Sequence, residues 1–266
     1  MLKNFAVKEN TVACWINPQD FGTRAQSLVF IHGSGGNSGA RSFQYTELHK
    51  AFNIAAVDLP GHGKSGGHGA QDIRTYALIL KDILSVLNLP RPIIVGHSLG
   101  AAIALDFAAA YPQDASGIVC VGGGLTMPVN PDILTGFRAQ PDVVMDLMCK
   151  FSLAKENRAK LFDALRASLG EAGVDVVAGD MLACSKFDIT GDVRKIVAPT
   201  LAICGTEDKM TPPEFSRRIA DGITQARFVL IPGAGHMVMM EKPEALNNAL
   251  KDFAAALPQA AHTTSV

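Results

Sequence analysis

Gly96-His97-Ser98-Leu99-Gly100 joins two stretches of different period. Before it runs Pro92-Ile93-Ile94-Val95, apolar and short, which reads as a buried strand. After it runs Ala101-Ala102-Ile103-Ala104-Leu105-Asp106-Phe107-Ala108, which reads as a helix. A serine at such a junction can sit on a sharp, strained turn. Its hydroxyl then projects from the carboxyl end of a sheet, beside a helix N-terminus. The flanking glycines suit that turn, because a Cβ at either position would meet the neighbouring strand or helix. Ser98 is therefore a candidate nucleophile.

A serine hydroxyl needs a base, and the base needs an orienting group. The chain holds seven histidines. His49, His68 and His262 lie in polar or terminal stretches and read as solvent-exposed. His97 reads as a packing residue, since side chains adjacent on a turn point apart. His62 lies in the loop Pro60-Gly61-His62-Gly63-Lys64-Ser65, after the strand Ile54-Ala55-Ala56-Val57. His32 ends the strand Leu28-Val29-Phe30-Ile31 and reads as bracing the loop that follows. His236 follows the strand-like run Arg227-Phe228-Val229-Leu230-Ile231 and the turn Pro232-Gly233-Ala234-Gly235. A helical stretch, Pro243 to Leu257, comes next. A loop after the last strand is where a base can reach a nucleophile from another strand end, so His236 is the expected base. The expected acid is Asp208, where the buried strand Thr200-Leu201-Ala202-Ile203-Cys204 runs into a loop. Its neighbour Glu207 reads as a solvated charge, and Thr211 as the N-cap of the next helix. The chain order is then Ser98, Asp208, His236.

Acyl transfer builds negative charge on a carbonyl oxygen, and preorganised N–H donors stabilise it. The backbone N–H of Leu99, just after the nucleophile, is one expected donor. The other belongs to the loop after an earlier strand, His32-Gly33-Ser34-Gly35-Gly36-Asn37, with Ser34 N–H the expected group. A flexible turn or a phosphate cradle are the other readings of this loop. It lacks the Lys and the helix-start Ser/Thr of a P-loop, which argues against phosphate.

These segments together resemble the α/β-hydrolase superfamily, in its small esterase or lactonase type. The matching residues are His32-Gly33-Ser34-Gly35-Gly36, Asp58-Leu59-Pro60-Gly61-His62-Gly63-Lys64-Ser65, Gly96-His97-Ser98-Leu99-Gly100, Gly205-Thr206-Glu207-Asp208 and Gly235-His236-Met237. Pro199-Thr200-Leu201 and Glu241-Lys242-Pro243 match as well. The resemblance covers the chain except the stretch from about Thr126 to Ile189. It implies an α/β fold, a mostly parallel eight-stranded sheet flanked by helices, with a helical lid inserted over the active site. It also implies core segments at 1–125 and 189–258 with the lid at 126–188, and residues 259–266 read as a flexible tail. Relatives that displace halide or open epoxides carry Asp at the elbow, so Ser98 argues against those reactions. Carbon–carbon bond hydrolases of ring-cleavage pathways share the serine triad. Their oxyanion loop carries a Gly-Pro-Gly turn, from which Gly35-Gly36-Asn37 departs.

Composition agrees. The chain has 266 residues, 48% of them hydrophobic, enough for one large core. A net charge of −1 argues against nucleic acid or acidic membranes as partners. Five cysteines without metal-like pairing suggest reduced thiols and a cytoplasmic setting. No signal peptide or membrane-length apolar run stands out. Alternating strands and helices predict a mostly parallel sheet over Leu2 to Gly124, opened by an antiparallel hairpin. Asp72 to Leu87 is the clearest amphipathic helix. From Pro128 to Phe187 the pattern is short helices without strands, in pieces Pro141–Phe151, Lys155–Leu169 and Val174–Ser185. Within that stretch Met145, Leu147, Met148, Phe151, Phe162, Leu165, Met181 and Leu182 recur at helical spacing, and most of them read as packing it onto the core. Met145, Met148 and Met181, with Leu125 and Met237, are the candidates to line a substrate pocket. Arg138, Lys155, Arg158 and Lys160 read as solvated. The expected function is hydrolysis of a small carboxylic ester, thioester or lactone with an apolar part, without metal or organic cofactor. The alternatives are carbon–carbon bond hydrolysis and a non-catalytic ligand-binding member of the fold.

Overall fold

The computed structural model describes residues 1–257. The expected tail at 259–266 and His262 lie outside the described residues. Eight strands form one sheet: β1 (Leu2–Val7), β2 (Asn10–Ile16), β3 (Ser27–Ile31), β4 (Asn53–Val57), β5 (Ile93–His97), β6 (Gly117–Val121), β7 (Thr200–Gly205) and β8 (Ala226–Ile231). Their spatial order is β1-β2-β4-β3-β5-β6-β7-β8. β1 and β2 form the expected antiparallel hairpin, and β2 meets β4 antiparallel. Every pairing from β4 onward is parallel.

The helices are α1 (Ser42–Leu48), α2 (Ile73–Leu87), α3 (Leu99–Ala110), α4 (Pro131–Ala139), α5 (Pro141–Ser152), α6 (Arg158–Ala172), α7 (Val174–Ser185), α8 (Pro213–Gly222), α9 (Val238–Glu241) and α10 (Pro243–Ala256). α2 shows how sequence sets an element. Asp72 accepts from Thr75 N–H and starts the helix, and Asn88 ends it in the left-handed region, at φ 49°. Between them Ile73, Tyr76, Ala77, Leu80, Ile83, Leu84 and Leu87 form one buried stripe.

The central strands are buried throughout, as parallel strands covered on both sides must be. Their side chains still sort by parity. Val29, Ile31, Ala55 and Val57 join one apolar cluster with α2 and α3. Leu28, Phe30, Ile54 and Ala56 join the other, with α10 and parts of α5 to α7. α4 to α7 lie between β6 and β7 in the chain. α4 had not been separated in the sequence, and Lys155–Asn157 is a short 3-10 turn before α6. A single bridge, Thr126 to Asp188, closes the base of this stretch. Among the described residues no helix is long and apolar enough to cross a membrane.

Chain order reverses beside β3. The chain goes from β3 outward to β4, then returns to place β5 on β3's other side. In parallel sheets a crevice forms where the direction of winding changes, beyond the carboxyl ends of the strands. Ile31 of β3 pairs with Gly96 of β5, so the loops after both strands leave the sheet side by side.

The β5–α3 junction is the tightest point. Ser98 has φ 53° and ψ −116°, a region side-chain-bearing residues rarely occupy. α3 packs so close that a Cβ on Gly96 would fall inside the Gly100 carbonyl. One on Gly100 would lie 2.5 Å from the Ile31 oxygen and 2.7 Å from that of His32. All of these neighbours are backbone atoms, which cannot swing aside. Gly100→Ala is therefore expected to destabilise the protein by about 3 kcal/mol, read as a lowered midpoint in urea unfolding. An unchanged midpoint would show that α3 can move away from β3.

Candidate active site

Ser98, Asp208 and His236 leave β5, β7 and β8 at the same edge of the sheet. Asp208 and His236 meet directly: Nδ1 of His236 is 2.8 Å from Oδ2 of Asp208. Both side chains are buried, and burial alone would raise the carboxyl's pKa. The imidazole at hydrogen-bond distance outweighs that and holds Asp208 below the usual carboxylate range, helped by Thr211. With Nδ1 spent on Asp208, Nε2 lies at the opposite edge of the ring. It has no hydrogen-bond partner among the described residues. Ser98 and His236 share the wall of one cavity of about 350 Å³, without a direct hydrogen bond between them.

The loop that carries His236 is held from two sides. His97 donates its Nε2–H to the His236 carbonyl at 3.0 Å, and the two rings lie 4.6 Å apart. The Ser152 carbonyl, at the end of α5, accepts the N–H groups of both His236 and Met237. Glu241 accepts from Gly235 N–H, and from Ala154 N–H and Asn157 Nδ2 beyond α5. His97 was read as packing. It is a buried donor, and burial together with the neighbouring His236 ring keeps it neutral.

The loop after β3 runs alongside. His32 ties it to the loop after β4: Nδ1–H donates to the Gly33 carbonyl and Nε2 accepts from Leu59 N–H, the neutral tautomer. This is the expected bracing role. The N–H groups of Ser34 and Leu99 have no acceptor among the described residues. Ser34 Oγ is buried and likewise unpartnered.

A second cavity of about 380 Å³ meets the first at Ser98, Met148, Met181 and Met210. Its remaining wall is largely apolar, including Met127, Val129, Ile133, Phe151 and Phe215. Of the five candidate pocket residues, Met148, Met181 and Met237 line these cavities. Leu125 and Met145 do not. Leu125 packs toward Gly222 at the end of α8, and its carbonyl accepts from Ile189 N–H. Met145 sits one helical turn before Met148 and is buried in the apolar cluster. Helical spacing gave the stripe but not which of its turns overhangs the cavity.

Thr211 also departs from expectation. α8 begins at Pro213 with Pro212 as its N-cap, and Thr211 turns inward. Its hydroxyl donates to Asp208 Oδ2 at 3.0 Å and lies 3.2 Å from His236 Nδ1. His49 is half-buried, with Nδ1 2.9 Å from the Thr46 carbonyl at the end of α1. Arg158 is half-buried too, and its Nε has no hydrogen-bond partner among the described residues. Gly122 was missed. A Cβ there would lie 2.9 Å from His236 Nδ1, so its small size makes room for the pair.

The largest omission is Asp180. It is fully buried on α7, where it accepts from Tyr76 Oη at 2.6 Å and from Gly35 N–H at 2.9 Å. His62 Nε2 is 2.9 Å away. One carboxylate thus joins α7 to α2 and to the loops after β3 and β4. An acid inside the apolar run Val176-Val177-Ala178-Gly179-Asp180-Met181-Leu182 was the available signal. Among the described residues no group of three or more His, Cys, Asp or Glu could hold a metal ion.

A family model described as "Alpha/beta hydrolase family" matches residues 28–249. A curated 2-hydroxy-6-oxononadienedioate/2-hydroxy-6-oxononatrienedioate hydrolase of Cupriavidus pinatubonensis is 27% identical, over 93% of each chain. A thermophilic esterase structure is 30% identical, with TM-score 0.84, over 97% of this chain and all of that one. The enol-lactonase of Burkholderia xenovorans superposes with TM-score 0.88 at 19% identity, over 95% of this chain and all of that one.

The His62–Asp180 pair makes stability depend on pH. Burial pulls the His62 pKa down, but the Asp180 carboxylate outweighs it and raises the value above 6.5. A raised folded value means the stabilisation is complete below about pH 6.5 and is lost as pH rises through the folded pKa. Asp180→Asn is expected to cost about 3 kcal/mol near pH 6. Its unfolding midpoint should also vary less between pH 6 and 9 than that of the unaltered protein. Equal slopes for the two proteins in a pH series of thermal melts would contradict the pairing.

Proposed function

The chain belongs to the alpha/beta hydrolase family, and we propose that within it the protein is a serine hydrolase of small carboxylic esters, thioesters or lactones. The observation that carries this reading is the buried Asp208–His236 pair, which opens on the same cavity as Ser98. Ser98 Oγ attacks the carbonyl carbon while His236 Nε2 takes its proton. Asp208 holds the imidazole in that tautomer and stabilises the imidazolium, and Thr211 fixes the carboxylate. The oxyanion is received by the N–H groups of Ser34 and Leu99. His236 then protonates the leaving alcohol, and water activated by the same ring releases the acid. No cofactor takes part in these steps.

Helices α4 to α7 act as the lid and set substrate choice. Met148 and Met181 stand where the two cavities join, and the apolar second cavity receives the apolar part of a small substrate. Five buried cysteines without a disulfide fit a reducing, cytoplasmic setting.

Carbon–carbon bond hydrolysis is the second reading, favoured by the 27% identical Cupriavidus hydrolase. The same triad would serve it. Against it stands Gly36 in the oxyanion loop, where the resemblance to that group expects proline.

Ser98→Ala is expected to lower turnover of p-nitrophenyl butyrate by at least about 10⁴-fold while the far-UV circular dichroism is unchanged. The unaltered protein should release a burst of p-nitrophenol. A variant that kept near-full rate would place the nucleophile elsewhere, and a protein with neither burst nor turnover would be a binder. A kcat/KM higher for a ring-cleavage dienoate than for every ester and lactone tried would favour the second reading.

A further inference from the structure

The 3-10 turn Ser38–Arg41 ends the glycine-rich loop on an arginine that is 3% exposed and lines the cavity of Ser98 and His236. Among the described residues its Nε has no hydrogen-bond partner, and no carboxylate offsets its burial. Burial lowers its pKa to about 9, which leaves it charged at neutral pH. That charge acts on its surroundings. His32 and His97 are kept neutral first by their burial, and Arg41 adds to the effect on each.

Among the described residues the other buried charges are compensated. Asp58 accepts from Ser38 and Lys64 N–H, and Asp180 from Tyr76 and Gly35 while facing His62. Asp208 faces His236, and Glu241 accepts from Gly235, Ala154 and Asn157. Arg41 is the exception. An isolated guanidinium is costly to take out of water, so a fold that needed only its volume would do better with an apolar side chain. Glu171, the carboxylate in the same cavity's lining, is exposed and directed to Asn37 Nδ2 at 3.4 Å.

We propose that Arg41 receives a carboxylate carried by the substrate, so that the molecule cleaved at Ser98 is an acid as well as an ester. Half-esters of dicarboxylic acids and acyl esters of hydroxy acids are the fitting classes. The proposal rests on the ester-hydrolase reading above and narrows it. A guanidinium presents two parallel N–H groups that match both oxygens of a carboxylate. The two cavities sort the ends of such a molecule. The charged end lies with Arg41 on one side of Ser98. The apolar end lies among Met127, Ile133 and Phe215 on the other.

Two matched pairs of esters test it, followed by proton release: monoethyl against diethyl adipate, and 4-acetoxybutanoate against its methyl ester. The unaltered protein should favour the acid of at least one pair by roughly 10- to 100-fold in kcat/KM, the worth of a charged hydrogen-bonding partner. Arg41→Gln should bring that ratio near one, chiefly through KM, and Arg41→Lys should keep part of it. Removing an uncompensated charge should leave the melting temperature equal or higher, which a structural arginine would not do. A binding arm needs no turnover. Monoethyl adipate or 4-acetoxybutanoate should raise the melting temperature of Ser98→Ala but not of Ser98→Ala/Arg41→Gln. If no ester is cleaved but this shift is seen, the hydrolase reading falls while Arg41 as a carboxylate site stands. Ratios near one in the unaltered protein, a ratio retained without Arg41, or failure of both Arg41 variants to fold would each overturn the proposal.

Discussion

Ser98 sits where β5 must turn into α3 within a single residue, and the packing of two backbones leaves it no other place. Gly96 and Gly100 let α3 press against β5 and β3 at backbone contact. That approach forces Ser98 to φ 53°, with its N–H held by the Val121 carbonyl and its own carbonyl accepting from Ala101 and Ala102. The strain, of the order of 1–3 kcal/mol, is held by a sheet whose central strands are buried on both faces. The first N–H of α3, that of Leu99, has no acceptor among the described residues and lies beside the point where the winding of the sheet reverses. A hydroxyl, a helix N-terminus and a glycine loop therefore converge through backbone geometry before any side-chain chemistry is considered.

The remaining groups reach that point from distant parts of the chain, and polar contacts hold them there. The His236 loop is gripped by His97 beneath it and by the Ser152 carbonyl and Glu241 at its flank. Asp180 does the same for α7, joining it to the loops after β3 and β4. The helices over the cavity are thus bonded to the segments that carry the proposed acid–base pair and oxyanion donors. A change in helix packing would be felt at the imidazole. This arrangement makes α5 and α7 part of the positioning of the proposed site.

Much of this was legible in the residues. The strand–turn–helix context of Ser98, the late loop of His236 and the capped amphipathic helix from Asp72 are local patterns, and local patterns survive in sequence. The eight-stranded sheet followed from the family resemblance. What was illegible depends on long-range contact. Thr211 looked like a helix cap because a helix start follows it, yet Asp208 three residues earlier offers its hydroxyl a buried acceptor. Leu125 and Met145 share the apolar character of true cavity residues and differ only in direction. Arg41 carried no signal at all: exposed and buried arginines are spelled alike. Only its burial without a partner sets it apart.

In the proposed reaction Ser98 is the group that attacks, with the oxyanion held at Ser34 and Leu99. A p-nitrophenyl alkylphosphonate, which traps an activated serine as a tetrahedral adduct, tests it in one crystal structure. The adduct should form on Ser98 Oγ. Its phosphoryl oxygen should lie about 2.7–3.1 Å from the N–H groups of Ser34 and Leu99, with His236 Nε2 within hydrogen-bond reach of Oγ. An adduct on another residue, or one on Ser98 whose oxygen points away from both N–H groups, would contradict it.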